Sequence, residues 1–465
     1  MAEPLWTSDE IVAASGGVLV GAPFAAHGVS IDTRTLEAGD LFVALAGVRD
    51  GHEFVDAALG RGAAGTLASL PVAGSSVLVG DTLAALEKLG AAARDRAPQV
   101  RRGAVTGSVG KTSVTQAIRA GLARAGRAHS SVKSYNNHIG VPLTLARMPR
   151  DTERAVFEIG MNHADEITPL TRMVRPHAVC ITTVAQAHIE NFADGERGVA
   201  RAKAEIFDGL ERGGVAVLNA DNKWFAFLAD AAREKGADVR TFGPWDGCDA
   251  QLKSFVLEAG GARVEAVLGG QPIAFTLRQT GAHWGLMSLA ALLTMRALDV
   301  PLAAGLEALV AFEPLEGRGA ERRVRLAGGE ITLIDESYNA NPVSVAAALQ
   351  TLGLRQTAGR RVAVLTDMLE LGAGSPAYHA GLAAEIAAAK VDLVFCAGPM
   401  MENLWEALPA TRQGGYAETA AALEPALVRA IEPGDLVMVK GSRDSKAKAL
   451  FEALSGLESR SGEAA

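Results

Sequence analysis

The segment Thr106-Gly107-Ser108-Val109-Gly110-Lys111-Thr112 constrains the fold of this chain more than any other. It joins an apolar stretch that reads as a strand, residues 103–106, to one that reads as a helix, residues 112–125. Gly107 and Gly110 let the backbone turn so that its amide groups point inward. The start of the helix adds the positive end of its dipole. Lys111 can then reach the β- and γ-phosphates of a nucleotide, and the Thr112 hydroxyl can ligate Mg2+. The strict form of such a loop has a glycine where this chain has Val105, so the match is to a variant TGSxGKT loop. The expected ATP-binding set is Gly107, Ser108, Val109, Gly110, Lys111, Thr112 and Ser113.

A loop of this kind sits at the carboxyl end of a parallel strand, and its surroundings alternate accordingly. Residues 155–159, 178–184 and 215–219 read as strands, with helices over 166–173 and 196–210. This predicts an α/β, doubly wound, mostly parallel sheet, with residues 255–276 as an antiparallel edge. Upstream lies a smaller mixed α/β region. There Thr7 and Glu10 form a capping box, and the helix they open should stop at Gly16-Gly17. Strands are expected at 29–32, 41–45 and 76–79, and a helix at 53–59. A Glu-, Pro- and Gly-rich stretch, 313–319, reads as a linker. Beyond it strands at 331–335, 362–365, 393–396 and 436–439 alternate with helices starting near Ser344, His379 and Thr419, a second, Rossmann-like α/β unit. The expected domains are therefore 1–99, 100–313 and 314–465.

Composition narrows the partners. A net charge of −8 and a pI near 5.7 argue against broad nucleic-acid or anionic-membrane binding. No apolar run reaches the length of a membrane span, and the polar N-terminus lacks the form of a signal peptide. Cys180, Cys248 and Cys396 are too scattered for a disulfide or metal pattern, which fits reduced thiols and a cytoplasmic location. The expectation is a monomer without membrane insertion.

Glu158 ends one predicted strand and His188 follows another, so both should open onto the crevice that holds the phosphate loop. A carboxylate and an imidazole there could hold a second Mg2+ beside the γ-phosphate. Lys203, on the predicted helix 196–210, reads by itself as a solvated lysine.

Several further motifs give these residues a context: YNNHIGVPLT at 135–144, EIGMNH at 158–163, AHIENF at 187–192, KAEIF at 203–207, DESYNANP at 335–342, DMLELG at 367–372 and VKGSR at 439–443. Near the N-terminus come DTR at 32–34, GDLFVAL at 39–45 and DGHEFV at 50–55. Together with TGSVGKTS they make nearly the whole chain resemble the Mur ligase family. SYNANP and DMLELG point within it to the activity that joins D-alanyl-D-alanine to UDP-N-acetylmuramoyl-tripeptide. The resemblance implies three domains, an ATP-dependent acid–amino-acid ligase and an acyl-phosphate intermediate. It also implies a carbamylated Lys203 that binds Mg2+ beside Glu158 and His188. Catalytic roles are then expected for Lys111, Lys203, His188 and Glu158, and metal contacts for Thr112, Glu158, His188 and Lys203. His283, Arg318, Asn339 and Asn341 would surround the nucleotide and the closing interface. Asn136 and Asn137 would contact phosphate or the acyl group. Thr33, Arg34, Asp50, Gly51 and His52 would help hold the uridine diphosphate.

The chain departs from the family pattern in four places. Trp284 and Met287 stand where asparagines are frequent, and Asp165 and Thr366 where glycine is frequent. Two other readings share part of these features: a folylpolyglutamate-synthetase-like ligase, and a nucleotide-binding protein that does not ligate.

Overall fold

The computed structural model describes residues 3–47, 49–131, 134–186, 189–258 and 260–458. Its large sheets follow one another along the chain. A five-stranded sheet runs from Val18–Val20 to Ser76–Leu78, and a nine-stranded sheet from Arg101–Thr106 to Gln271–Leu277. A six-stranded sheet runs from Ala320–Leu326 to Leu436–Lys440.

The nine-stranded sheet is parallel except at one edge, where Ala250–Glu258, Gly261–Leu268 and Gln271–Leu277 form the expected antiparallel meander. Its phosphate-loop strand Arg101–Thr106 lies between Arg154–Glu158 and Ala178–Ile181, pairing in parallel with both. The registers place Glu158 beside Val105 and Ile181 beside Thr106, so three strand ends open on one side. These strands are apolar on both faces because helices cover both. Val105, Cys180 and Val217 pack with Ile118, Leu122 and Leu289 on one face. Ala104, Val179 and Leu218 pack with Leu145, Ile206 and Phe207 on the other.

In the N-terminal region Thr7 accepts from the Glu10 backbone while Glu10 accepts from the Thr7 backbone, and Gly16 ends the helix at φ 75°. The stretch near residue 53 opens as a 3₁₀ turn, Gly51–Phe54, before the helix Val55–Gly60. The helix expected over 196–210 stops at Ala204 and tightens into a 3₁₀ turn, Glu205–Gly209. That turn aims the Glu205 carboxylate at the backbone N–H groups of Asp165, Ile167 and Thr168, at 2.7, 3.0 and 3.1 Å. Glu205 thereby caps the helix Ile167–Val174, whose first turn has no acid and whose N-cap Glu166 makes no side-chain cap bond. Asp165 adopts a left-handed φ of 65°, which accounts for glycine being common at its position.

The six-stranded sheet is parallel apart from its edge strand Ala320–Leu326. Asn341 and Ser344 make a reciprocal cap for the helix Pro342–Leu354. No helix among the described residues is long and apolar enough to cross a membrane.

His129 donates from Nε2 to the Thr144 carbonyl at 2.7 Å. Burial, helped by the nearby charges of Arg119 and Arg147, pushes its pKa down to about 4. Between about pH 4 and 6.5 the unfolded chain binds this proton and the folded chain does not. The stability from a neutral His129 is therefore complete above about pH 6.5 and is lost as pH falls toward 4. Thermal melts between pH 7 and 5 should show His129→Gln losing less stability on acidification than the parent, by on the order of 2 kcal/mol. Parallel pH curves would contradict this.

Candidate active site

The phosphate loop is held from both sides. Gly107, at φ 150°, presses so close to Thr182 that an added Cβ would fall 1.9 Å from its hydroxyl. Gly110 is left-handed at φ 85°. Ser108 accepts from the Ala185 N–H and donates to the Ala185 carbonyl, and Thr182 donates to the Val109 carbonyl at 2.5 Å. Ser108 and Val109 are thus tied by their own polar atoms to the loop after Ala178–Ile181. Lys111 folds back to donate to the Gly107 carbonyl at 2.8 Å. Burial lowers its pKa, Glu158 opposes that shift and Arg318 adds to it.

Glu158 is 1% exposed and is the centre of the arrangement. Thr112 donates to its Oε2 at 2.7 Å. Ser134 and Asn136 donate to its Oε1 at 2.9 and 2.7 Å. Among the described residues no cation forms an ion pair with this carboxylate. A buried anion without a counterion is costly, so this oxygen-rich corner fits a bound divalent cation.

Lys203 is 2% exposed and lies on Glu196–Ala204. Burial drives its pKa well below the ordinary lysine value, and the positive charge of Lys111 drives it further. The amine is therefore held toward its neutral form beside the phosphate loop, which the helical spacing alone did not show. His188 lies outside the described residues, and no cluster of three or more His, Cys, Asp or Glu side chains is found among those described.

A cleft of about 570 Å3 opens over this centre. The loop residues from Ser108 to Ser113 line it with Asn136, Asn137, Glu158, His283, Arg318, Asn339 and Asn341. Asn137 spends its side-chain oxygen on the N–H groups of Ile139 and Gly140. Asn341 spends its own on the Ser344 N–H. Trp284 and Met287, the two departures, also line the cleft, and Trp284 packs on Phe312 with ring centroids 5.6 Å apart. At this position the chain presents an apolar surface in place of amides.

A second cleft, about 1170 Å3, faces the N-terminal region and is lined by Thr33, Arg34, Arg49, Gly51 and Phe54 among others. Arg34 is paired with Asp32 at 2.7 Å. Asp50 and His52 do not line this cleft. The Asp50 carboxylate accepts from the His52 backbone and ring, and His52 Nε2 accepts from the Ser69 N–H at 3.0 Å. Both ring nitrogens of His52 are thus engaged in holding the loop that presents Gly51.

Thr112, Ser134, Arg318, Tyr338 and Arg443 line both clefts. Arg318 donates to the Thr112 hydroxyl at 3.1 Å, and its guanidinium lies 4.1 Å above the Tyr338 ring. Sequence reasoning missed Ser134, Tyr338, Glu336, Lys440 and Arg443. Glu336, Tyr338, Lys440 and Arg443 sit inside the DESYNANP and VKGSR motifs, which were the available signal. Ser134 had none, because its role depends on where Glu158 lies.

The chain matches two family profiles, the Mur ligase middle domain over residues 105–295 and the Mur ligase glutamate ligase domain over residues 322–443. It is 34% identical to the UDP-N-acetylmuramoyl-tripeptide–D-alanyl-D-alanine ligase of Escherichia coli, across 94% of this chain and 96% of that one. The chain belongs to the Mur ligase family. The ligase of the same name from Bacillus subtilis is 32% identical over 92% of this chain and 93% of its own length. Among solved Mur ligases, a MurF crystal structure from Acinetobacter baumannii superposes with a TM-score of 0.85 at 28% identity, covering 97% of this chain and 99% of that one. A folylpolyglutamate synthase from Mycobacterium tuberculosis, bound to ADP, reaches only 0.59 at 17% identity over 80% of this chain, a likeness of fold alone.

Gly107→Ala tests the loop itself. The added methyl group must displace Thr182 or the backbone, a strain of about 1–3 kcal/mol. Nucleotide affinity in a direct binding titration should fall by roughly tenfold or more, and the same strain should lower the melting temperature by a few degrees. Unaltered affinity would show that the close approach of Gly107 to Thr182 is not needed to shape the loop.

Proposed function

We propose that this chain uses ATP to join D-alanyl-D-alanine to the terminal carboxylate of UDP-N-acetylmuramoyl-tripeptide, yielding the pentapeptide precursor of peptidoglycan. The observation that carries this reading is the meeting of two clefts at Thr112, Ser134, Arg318, Tyr338 and Arg443. One cleft contains a phosphate loop, and the other is large enough for a nucleotide-linked peptide. In this reading residues 1–99 hold the uridine end, 100–313 bind ATP, and 314–465 close over both. No helix among the described residues is long and apolar enough to cross a membrane, and the reading places the reaction in the cytoplasm, where ATP is supplied.

Lys111 and the amides of residues 107–112 bind the β- and γ-phosphates and draw charge from the γ-phosphorus. The substrate carboxylate attacks that phosphorus, the bond to the bridging oxygen breaks, and ADP leaves. Catalysis of this step is chiefly positioning and charge neutralisation. The acyl phosphate then receives the neutral amine of the dipeptide at its acyl carbon. The tetrahedral intermediate expels inorganic phosphate, and the amine loses a proton as the amide forms. Closure of the C-terminal sheet over the cleft keeps water from the acyl phosphate.

Thr112 and Glu158 would hold one Mg2+ and Glu158, His188 and Lys203 a second, the lysine as its carbamate. Bound there, the ions would neutralise charge on the γ-phosphate and the attacking carboxylate. The burial of Lys203 supports the carbamate, since carbon dioxide adds only to a neutral amine. Glu158, buried and without an ion pair among the described residues, supports the metal.

Phosphate release should require ATP, UDP-N-acetylmuramoyl-tripeptide and D-alanyl-D-alanine together. Release with ATP alone, or with a folate and glutamate, would overturn the assignment. Lys203→Ala should lower amide formation by on the order of 100-fold. Added formate or acetate should restore part of it by supplying the missing anion. A variant with full activity would remove the carbamate from the mechanism.

A further inference from the structure

The cations that line the two clefts are almost all engaged. Lys111 donates to Gly107 and Arg318 to Thr112. Lys440 donates to Glu336 and to the Asn339 carbonyl, and Arg34 is paired with Asp32. Arg49 lies against the Phe54 ring at 4.4 Å, on the side of the N-terminal region. Arg443 differs. It is exposed and lines both clefts, and among the described residues its guanidinium has no hydrogen bond, ion pair or ring contact.

The backbone that carries Arg443 is firmly held. Ser442 accepts through its hydroxyl from the Leu369 N–H at 3.0 Å, and its own N–H donates to the Asp367 carbonyl. Ser445 bonds to the Thr366 hydroxyl at 2.5 Å. Gly441 packs so tightly that a Cβ would lie 1.6 Å from the Thr366 hydroxyl. Thr366, one of the departures from the family pattern, is thus half of the clamp that sets this turn. The held backbone leaves only the side chain's own rotamer freedom to be lost when an anion binds, and a guanidinium matches a carboxylate through two parallel hydrogen bonds.

The proposed reaction has one anionic group that none of the engaged cations serves. The incoming dipeptide must present its amine to the acyl carbon at the seam between the clefts while its far end, a free carboxylate, rests somewhere nearby. We propose that Arg443 binds the C-terminal carboxylate of the incoming dipeptide and so selects acceptors that end in a free acid. This rests on the ligase reading above and adds a specificity residue to it.

Initial rates with D-alanyl-D-alanine and with its C-terminal amide test the idea, using the full chain with saturating ATP and UDP-N-acetylmuramoyl-tripeptide. The parent enzyme should prefer the acid by about tenfold or more in kcat/KM, the size expected of a charge-assisted pair. Arg443→Gln should raise the KM for the acid by a similar factor and leave the amide nearly unaffected, so that the preference disappears. Arg443→Lys should restore part of it. The KM for ATP, and trapping of the acyl phosphate by hydroxylamine without dipeptide, should stay close to the parent's. An equal loss with acid and amide, or a weakened KM for ATP, would overturn the assignment and place Arg443 with the phosphates or the fold. Failure of the parent enzyme to form any hydroxamate from UDP-N-acetylmuramoyl-tripeptide would instead overturn the ligase reading.

Discussion

The site depends on one buried carboxylate. Glu158 receives hydrogen bonds from Thr112, Ser134 and Asn136, which come from the phosphate-loop helix and from the segment before Gly140–Ala146. An ionised group at 1% exposure is tolerable only when its lone pairs are satisfied and a cation is at hand. The three donors meet the first condition. Lys111, whose pKa the charge of Glu158 raises, contributes to the second.

The surrounding cations are arranged by the same economy of charge. Lys111 and Lys203 lie near enough for the positive charge of one to depress the pKa of the other. A second ammonium beside the loop would repel the first, so burial that favours the neutral form of Lys203 eases a conflict within the site. Arg318 approaches Thr112 from the linker and stacks on Tyr338 at the start of the C-terminal region. A single side chain therefore connects the phosphate loop to the C-terminal region.

Much of this was visible in the order of residues. The TGSVGKT loop needs a strand before it and a helix after it, and both are present. The capping pairs Thr7–Glu10 and Asn341–Ser344 are local, as are the glycines that end or bend elements. His52 looked like a ligand contact because it sits in a motif, yet its ring is occupied with Asp50 and Ser69. The helix over 196–210 looked continuous because helix-favouring Glu, Arg, Ala, Lys and Leu predominate in it. It breaks because Glu205 is drawn to the backbone of a segment some forty residues earlier.

The sequence by itself determined the phosphate loop, the alternation that builds the parallel sheet, and the family whose motifs it carries, because these rest on local geometry and short spacings. Only the tertiary structure decided that Lys203 is buried and within reach of the Lys111 charge, that Ser134 serves Glu158, and that Arg443, where two clefts meet, has no partner among the described residues. Burial and electrostatic neighbours come from the packing of segments far apart along the chain. No spacing within one helix or strand encodes them.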